Sequence, residues 1–223
     1  LSPFFLPHGS YIGMYRINNA NPKKEEKMSI KTEYTAPGFA AWVKVYEPDY
    51  TFKEGGEFQV DLYLEEEDAK PIIKIYEQTI KDKLKEKDGK GKKSPDVMYS
   101  LVSEIKQDQL DKLAQRGYSP DPKMYRFKFR NTFEVKPKGG TPFTNTIKVL
   151  DEDNHKRPHN PEEEIGNGAK VRVAYQPYGW VASGKVGCKL RLVGIQVLEN
   201  PQPYNKEGAS IVFPGGSEPD LDF

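Results

Sequence analysis

Tyr125-Arg126-Phe127-Lys128-Phe129-Arg130-Asn131-Thr132-Phe133 sets aromatic side chains at 125, 127, 129 and 133 and cations at 126, 128 and 130. Successive side chains of a strand point to opposite faces, so this ribbon has one apolar and one basic face. A period of two held over nine residues predicts a half-buried strand rather than a helix. Phe127 and Phe129 then belong to a core, and Arg126, Lys128 and Arg130 are the half of the strand that can hold a polyanion.

The charge of the whole chain is sorted in the same way. Formal net charge is only +1 over 223 residues, yet residues 123–148 carry seven Lys or Arg against one Glu, and residues 170–191 carry five against no acid. Residues 47–68 reverse this, with nine acids and one Lys. Such segregation predicts a basic groove with acidic surroundings. Charged residues make up 30% and hydrophobic ones 36%, which predicts one small barrel or sandwich core with much exposed loop.

Cys188 is the single cysteine, so an intramolecular disulfide and a cysteine zinc site are both excluded, and an intracellular compartment fits. No run approaches the roughly 18 apolar residues of a membrane span. Leu1 to Pro7 is apolar but lacks the flanks of a signal peptide. Lys24-Glu25-Glu26-Lys27 can be encoded by a purine-rich, ribosome-binding-like message just before Met28. The expectation is that residues 1–27 are a translated, non-native or disordered leader and that the natural protein starts at Met28.

Phe39 to Tyr46 predicts a first strand, with Phe39, Ala41, Val43 and Val45 on one face and Trp42, Lys44 and Tyr46 on the other. Glu57 to Leu64 predicts a second, entered through Gly55-Gly56. Residues 71–87 then place Ile72, Ile73, Tyr76, Ile80 and Leu84 at helical spacing, closed by Asp88-Gly89-Lys90-Gly91. A second helix is expected from an N-cap at Ser94 to Gly117, with Val97, Leu101, Ile105 and Leu113 as its stripe. After the aromatic and basic strand, Lys136 to Gly140 reads as a hairpin turn and Phe143 to Leu150 as the returning strand. Lys170 to Tyr175 and Lys189 to Leu198 complete the set, joined by a glycine-rich connection, and residues 201–223 read as linker and tail. Two strands, a helical insertion at about 70–117 and four more strands predict a mainly β, antiparallel barrel with helices crossing one connection.

Candidate anion contacts are Arg126, Lys128 and Arg130 on one strand, Lys170 and Arg172 on another, and Lys90, Lys92 and Lys93 between the two helices. Candidate stacking rings are Trp42, Tyr178 and Trp180, the last two held in the expected loop Gln176-Pro177-Tyr178-Gly179-Trp180, since rings standing free of a core can stack on unpaired bases. A plain exposed sheet face, and core positions for individual rings, stay open. His155 and His159 flank Pro158 and cannot share a helix face as zinc ligands. No nucleophile elbow, phosphate loop or His-Glu zinc motif is present, so no catalytic residue, metal or cofactor is expected. The tail ends Glu218-Pro219-Asp220-Leu221-Asp222-Phe223, where Asp220, Asp222 and Phe223 form an anionic and apolar bait for a basic pocket on another protein.

Trp42 to Tyr50 with its Pro48-Asp49-Tyr50, Val60-Asp61-Leu62, Tyr125 to Phe133 and Lys170 to Trp180 with its Pro177-Tyr178-Gly179-Trp180 together resemble, in order and spacing, the podovirus-type phage single-stranded DNA-binding proteins. The resemblance covers about Phe39 to Glu199 and the tail. It implies an OB-fold over residues 28–200 that binds single-stranded DNA without sequence preference in phage replication and recombination, in the host bacterial cytoplasm. It implies also that the tail docks on DNA polymerase and primase-helicase and covers the groove when DNA is absent. Tyr178 and Trp180 fall on the family's late-loop rings, Arg126 and Lys128 on its central-strand cations, Lys90 to Lys93 on its basic loop and Phe223 on its terminal residue. Arg130 stands where a relative carries an aromatic, and three acidic side chains make a shorter tail than in those relatives. A homodimer stays open, as do two rivals: an OB-type RNA-binding or adaptor module, and a metal-dependent nuclease.

Overall fold

A computed structural model of the chain describes residues 31–85, 94–96 and 99–200. The expected leader, the helix stop at Asp88 to Gly91, Val97 of the expected stripe, Lys90, Lys92 and Lys93, and the tail with Asp220, Asp222 and Phe223 lie outside these residues.

Five long strands build the core: β1 (Gly38–Asp49), β2 (Glu57–Leu64), β3 (Tyr125–Thr132), β4 (Lys170–Ala182) and β5 (Lys185–Glu199). They close on themselves in the order β1-β2-β3-β5-β4-β1. Every junction is antiparallel except β3 with β5, which run parallel. This is the five-stranded OB barrel, and the helical insertion crosses between β2 and β3, as the sequence pattern predicts.

The period-two reading of β3 holds residue by residue. Phe127 and Phe129 are fully buried, while Arg126, Lys128 and Arg130 face outward. Phe129 meets Tyr175 of β4 edge-on at 5.3 Å between ring centres, and Phe127 meets Tyr99 at 5.7 Å. Asn131 continues the inward face as a polar residue, and its side-chain amide donates to the Leu192 carbonyl of β5 at 2.9 Å. A satisfied buried amide of this kind fixes one alignment of two strands, because any other leaves it unpaired.

β1 departs from the simple alternation. Its register on β2 runs Phe39↔Tyr63, Ala40↔Leu62, Ala41↔Asp61 and then jumps to Lys44↔Gln59, a bulge centred on Trp42 at φ 54°. An extra residue reverses which side chains face inward. Ala40 and Val45 therefore enter the barrel core, whereas Ala41 joins a second cluster with Tyr63, Val102, Ile105, Leu113 and Met124 on the outside of the sheet.

α1 (Glu66–Lys85) buries Ala69, Ile72, Tyr76 and Ile80 against the barrel, in line with the expected spacing, while Leu84 of the expected stripe is exposed in the last turn. It starts five residues before Pro71, because Glu66, Glu67 and Asp68 form its first turn, where negative charge complements the helix dipole. Pro71 sits on an exposed face and costs one backbone hydrogen bond.

The helix expected from Ser94 is not formed there. Ser94–Asp96 is extended and pairs in parallel with Lys185–Gly187 of β5, as a residue before proline favours extended backbone. After a 3-10 turn at Val102–Glu104, α-helix resumes at α2 (Gln107–Ala114), whose Leu113 closes the second cluster. Gly117, at φ 83°, then turns the chain away, its N–H bonded to the Ala114 carbonyl.

Phe143 to Leu150 is likewise two pieces. Phe143–Thr144 pairs with Glu134–Val135, and Lys148–Leu150 pairs with Gly194–Gln196 of β5. Between them Asn145 bonds through both its backbone and its side-chain amide to the carbonyls of Phe133 and Thr132.

The largest correction concerns Gln176 to Trp180, which is strand and not loop. β4 and β5 form one long hairpin through a two-residue turn, Ser183-Gly184, both at positive φ. Pro177 is tolerated because, among the described residues, β4 has no strand on its other edge beyond Tyr175. No helix among the described residues is long and apolar enough to cross a membrane.

Phe129→Ala is expected to lower unfolding stability by about 3–5 kcal/mol, whereas Lys128→Gln at the next, outward position is expected to change it by less than about 0.5 kcal/mol. Urea titrations of the two variants measure this contrast.

Candidate functional site

β3 and β5 pair through only Phe129↔Leu190 and Arg130↔Arg191. Farther along the same edge of β5, Ser94–Asp96 covers Lys185 to Gly187. Cys188 and Lys189 fall between these two pairings and, among the described residues, have no strand beside them on that edge. The barrel wall parts at this point and leaves a cleft of about 370 Å³.

Both faces of the wall contribute to it. Phe127, Leu190, Cys188 and Tyr76 of α1, with Tyr99, make an apolar floor, and Trp180 stands at the side. Lys53, Lys128, Arg130 and Lys189 ring the mouth with Glu57. Trp180 lies over Gly187, its cross-strand neighbour, so closely that a Cβ on Gly187 would collide with the indole. Tyr178, two residues away on the same outward face, is about half exposed and sits opposite Lys189.

The cations at the mouth differ in how firmly they are held. Arg130 is tied inward: one guanidinium nitrogen donates to the carbonyls of Val60 and Phe129, and the other meets the buried carboxylate of Asp61 at 2.5 Å. Lys189 and Lys53 share the Glu57 carboxylate, Lys189 at 3.4 Å and Lys53 in a shorter contact. Burial holds the Lys189 ammonium below the usual lysine range, Lys53 beside it lowers it further, and Glu57 opposes both. Lys128 is also lowered, by burial first, with Asp61 pulling the other way and Arg126 and Arg130 adding to the drop. Two lysines whose charged forms are under-compensated would each be stabilised by an arriving anion.

The fold therefore lines the cleft with three of the residues singled out from the sequence, Lys128, Arg130 and Trp180, and sets a fourth, Tyr178, beside it across from Lys189. It sets the others elsewhere. Arg126 lies toward α2, where it donates to Gln109 at 3.2 Å. Trp42 is on the β1 bulge, its backbone N–H donating to the Asn167 side-chain oxygen and its ring under the Arg116 guanidinium at 4.6 Å. It lines a separate groove of about 540 Å³ with Tyr50 and Phe52. Lys170 pairs with Glu199 at 3.2 Å and Arg172 faces Gln196, near the start of β4. Eight residues of strand, about 26 Å, separate Lys170 from Tyr178.

Two cations of the cleft escaped the sequence reading. Lys189 carried a usable signal, since it alternates with Cys188 and Leu190 just as the cations of β3 alternate with its rings; Arg191 continues that pattern but donates to the Gln176 side chain and does not line the cleft. Lys53 sits in the β1–β2 connection and carried none. Among the described residues, no three His, Cys, Asp or Glu side chains are grouped to hold a metal ion.

The same chain path occurs in solved structures. The fold is that of phage single-stranded DNA-binding proteins. Gp2.5, a single-stranded DNA-binding protein encoded by bacteriophage T7, matches with a TM-score of 0.55 at 19% identity, covering 80% of this chain and 97% of that one. The single-stranded DNA-binding protein from bacteriophage Enc34 matches at 0.54 and 14% identity, covering 80% and 86%. The Enc34 protein in complex with single-stranded DNA matches at 0.54 and 12%, covering 78% and 89%. No protein-family model and no curated protein sequence matches the chain.

Cys188 reports on the cleft floor. Burial raises its thiol from an ordinary 9.0 to about 11, with hydrogen bonds from Thr79 and the Tyr178 backbone opposing. Because the folded state favours the protonated thiol, thiol-reagent labelling at pH 8 is expected to be at least tenfold slower in the native protein than in urea. The same shift takes stability away as pH rises from about 9 to about 11.

Proposed function

We propose that the chain is a sequence-independent single-stranded DNA-binding protein. The observation that carries this reading is the convergence of Lys53, Lys128, Arg130 and Lys189 with the Trp180 ring on one cleft, with Tyr178 beside it across from Lys189. The barrel is one used by phage proteins of that name. Phosphates lie along the cations at the mouth, and bases stack on Tyr178 and on the exposed part of Trp180. Stacking contributes ~1–3 kcal/mol per base and does not read the base edge. Duplex DNA holds its bases inside the stack and cannot use the rings.

The remaining candidates take lesser parts. Trp42, with Tyr50 and Phe52, supplies rings farther along the barrel. Arg126, Lys170 and Arg172, and the lysines Lys90, Lys92 and Lys93, add electrostatic attraction. The role that fits such a protein is protection and organisation of single strands during phage DNA replication and recombination, in the cytoplasm of a bacterial host. The tail residues Asp220, Asp222 and Phe223 then recruit a polymerase or primase-helicase through a basic pocket on the partner.

Intrinsic tryptophan fluorescence titrated with oligo-dT, duplex DNA and RNA at two salt concentrations tests the reading. The expected result is quenching by oligo-dT that weakens steeply with salt, with little duplex binding. Equal affinity for duplex would overturn it, and a preference for RNA would favour the RNA-binding module instead. Deleting Phe223 is expected to leave oligo-dT affinity unchanged and to abolish capture of the replication partner, read by co-purification from phage-infected cells.

A further inference from the structure

Among the described residues, Glu57 is the one carboxylate that lines the cleft, and its position is unlike that of its neighbour Asp61. Asp61 is 4% exposed along its side chain and is bonded to Arg130 from below. Its burial and its bond to Arg130 leave it little open to an anion arriving from solvent. The Glu57 side chain is 21% exposed, opens β2 on the outward face, and reaches two lysines that come from different elements. Lys53 belongs to the β1–β2 connection and Lys189 to β5, and the Glu57 carboxylate bridges the two ammonium groups, with Lys53 also donating to the Thr132 hydroxyl at 3.4 Å. The Arg130 guanidinium stands 4.0 Å away on a third side.

A carboxylate among three cations is chemically the same kind of acceptor as a phosphodiester: one negative charge shared by two oxygens, each able to take a charge-assisted hydrogen bond. The geometry points to Glu57 as a built-in competitor for the DNA phosphate, holding Lys53 and Lys189 in place while the cleft is empty and exchanging with the phosphate when a strand arrives. This rests on the single-stranded DNA reading proposed above.

Two consequences follow from charge alone. With Glu57 in place, the partly buried Lys189 avoids standing unpaired in the free protein, so the cleft stays folded without ligand. Binding is also weaker than the cations would otherwise give, because one negative charge remains beside the bound phosphate. The competitor thereby sets an affinity that lets the strand leave, which suits a protein that must yield its DNA to other proteins.

The test is oligo-dT affinity across a salt series for wild type, Glu57→Asp and Glu57→Gln. Glu57→Gln is expected to bind about tenfold more tightly at ~0.1 M salt and to steepen the slope of log K against log salt by about 0.7, the increment for one more phosphate neutralised on a single strand. Glu57→Asp retains the charge but draws the carboxylate back, and is expected to fall between the two. Asp61→Asn serves as the contrast, with a lower melting temperature and no gain in affinity. Unchanged or weaker binding by both Glu57 variants, beside a wild type that binds oligo-dT, would overturn the inference and leave the proposed function standing. A wild type that does not bind would instead remove the proposed function itself.

Discussion

The barrel closes where β3 meets β5, and that meeting is two residue pairs long. Closure there buries Phe127 and Phe129 and seats the Asn131 amide on the Leu192 carbonyl. Its brevity matters equally. A longer parallel pairing would give Cys188 and Lys189 a strand neighbour and seal the wall; a shorter one would leave the two phenylalanines facing water. The cleft is the part of the junction that does not close, so core and site are consequences of one constraint.

A gap in a barrel wall exposes apolar floor, and the chain surrounds it with charge. Arg130 is anchored by Asp61 and by two carbonyls, so it shapes the rim as much as it attracts a ligand. Lys128 and Lys189 are different, since burial works against their charge. Trp180 can lie flat at this place because Gly187 opposite has no side chain. Aromatic area, cations and a displaceable carboxylate are thus set on β2, β3, β4 and β5, elements whose relative positions the core fixes. Such a site is preorganised, which reduces the ordering cost of binding.

How far the sequence could be read depends on the range over which each signal acts. β2 and β3 are legible to the residue because alternation is a local property and no proline, bulge or turn interrupts it. The apolar stripe of α1 is legible too, but its start is hidden, since the helical spacing becomes apparent only from residue 71 and the first turn, Glu66 to Asp68, is all acidic. Gln176 to Trp180 is misread because Pro177 and Gly179 break strands only when a neighbour needs their hydrogen bonds or side chains. On this edge none does among the described residues, and α1 packs against the bare Gly179 through Lys83 and Thr79. Ser94 fails as an N-cap for the opposite reason: a distant partner, Lys185 to Gly187, captures the segment as strand. For the site, Lys128, Tyr178 and Trp180 were within reach of local pattern. That Lys53 and Glu57 join them, and that Trp42 and Lys170 do not, depends on the bulge in β1 and the length of the hairpin, which only the closed barrel reveals.

The central claim is that the outward cations of the β3–β5 gap carry the contact with single-stranded DNA. The salt dependence of oligo-dT affinity for a Lys128→Gln, Lys189→Gln double variant addresses it directly. The account predicts a fold unchanged by circular dichroism, weaker binding, and a slope of log K against log salt shallower by about 1.4, the loss of two phosphate contacts. An affinity and slope equal to those of the unmodified protein would contradict it and move the contact to another face of the barrel.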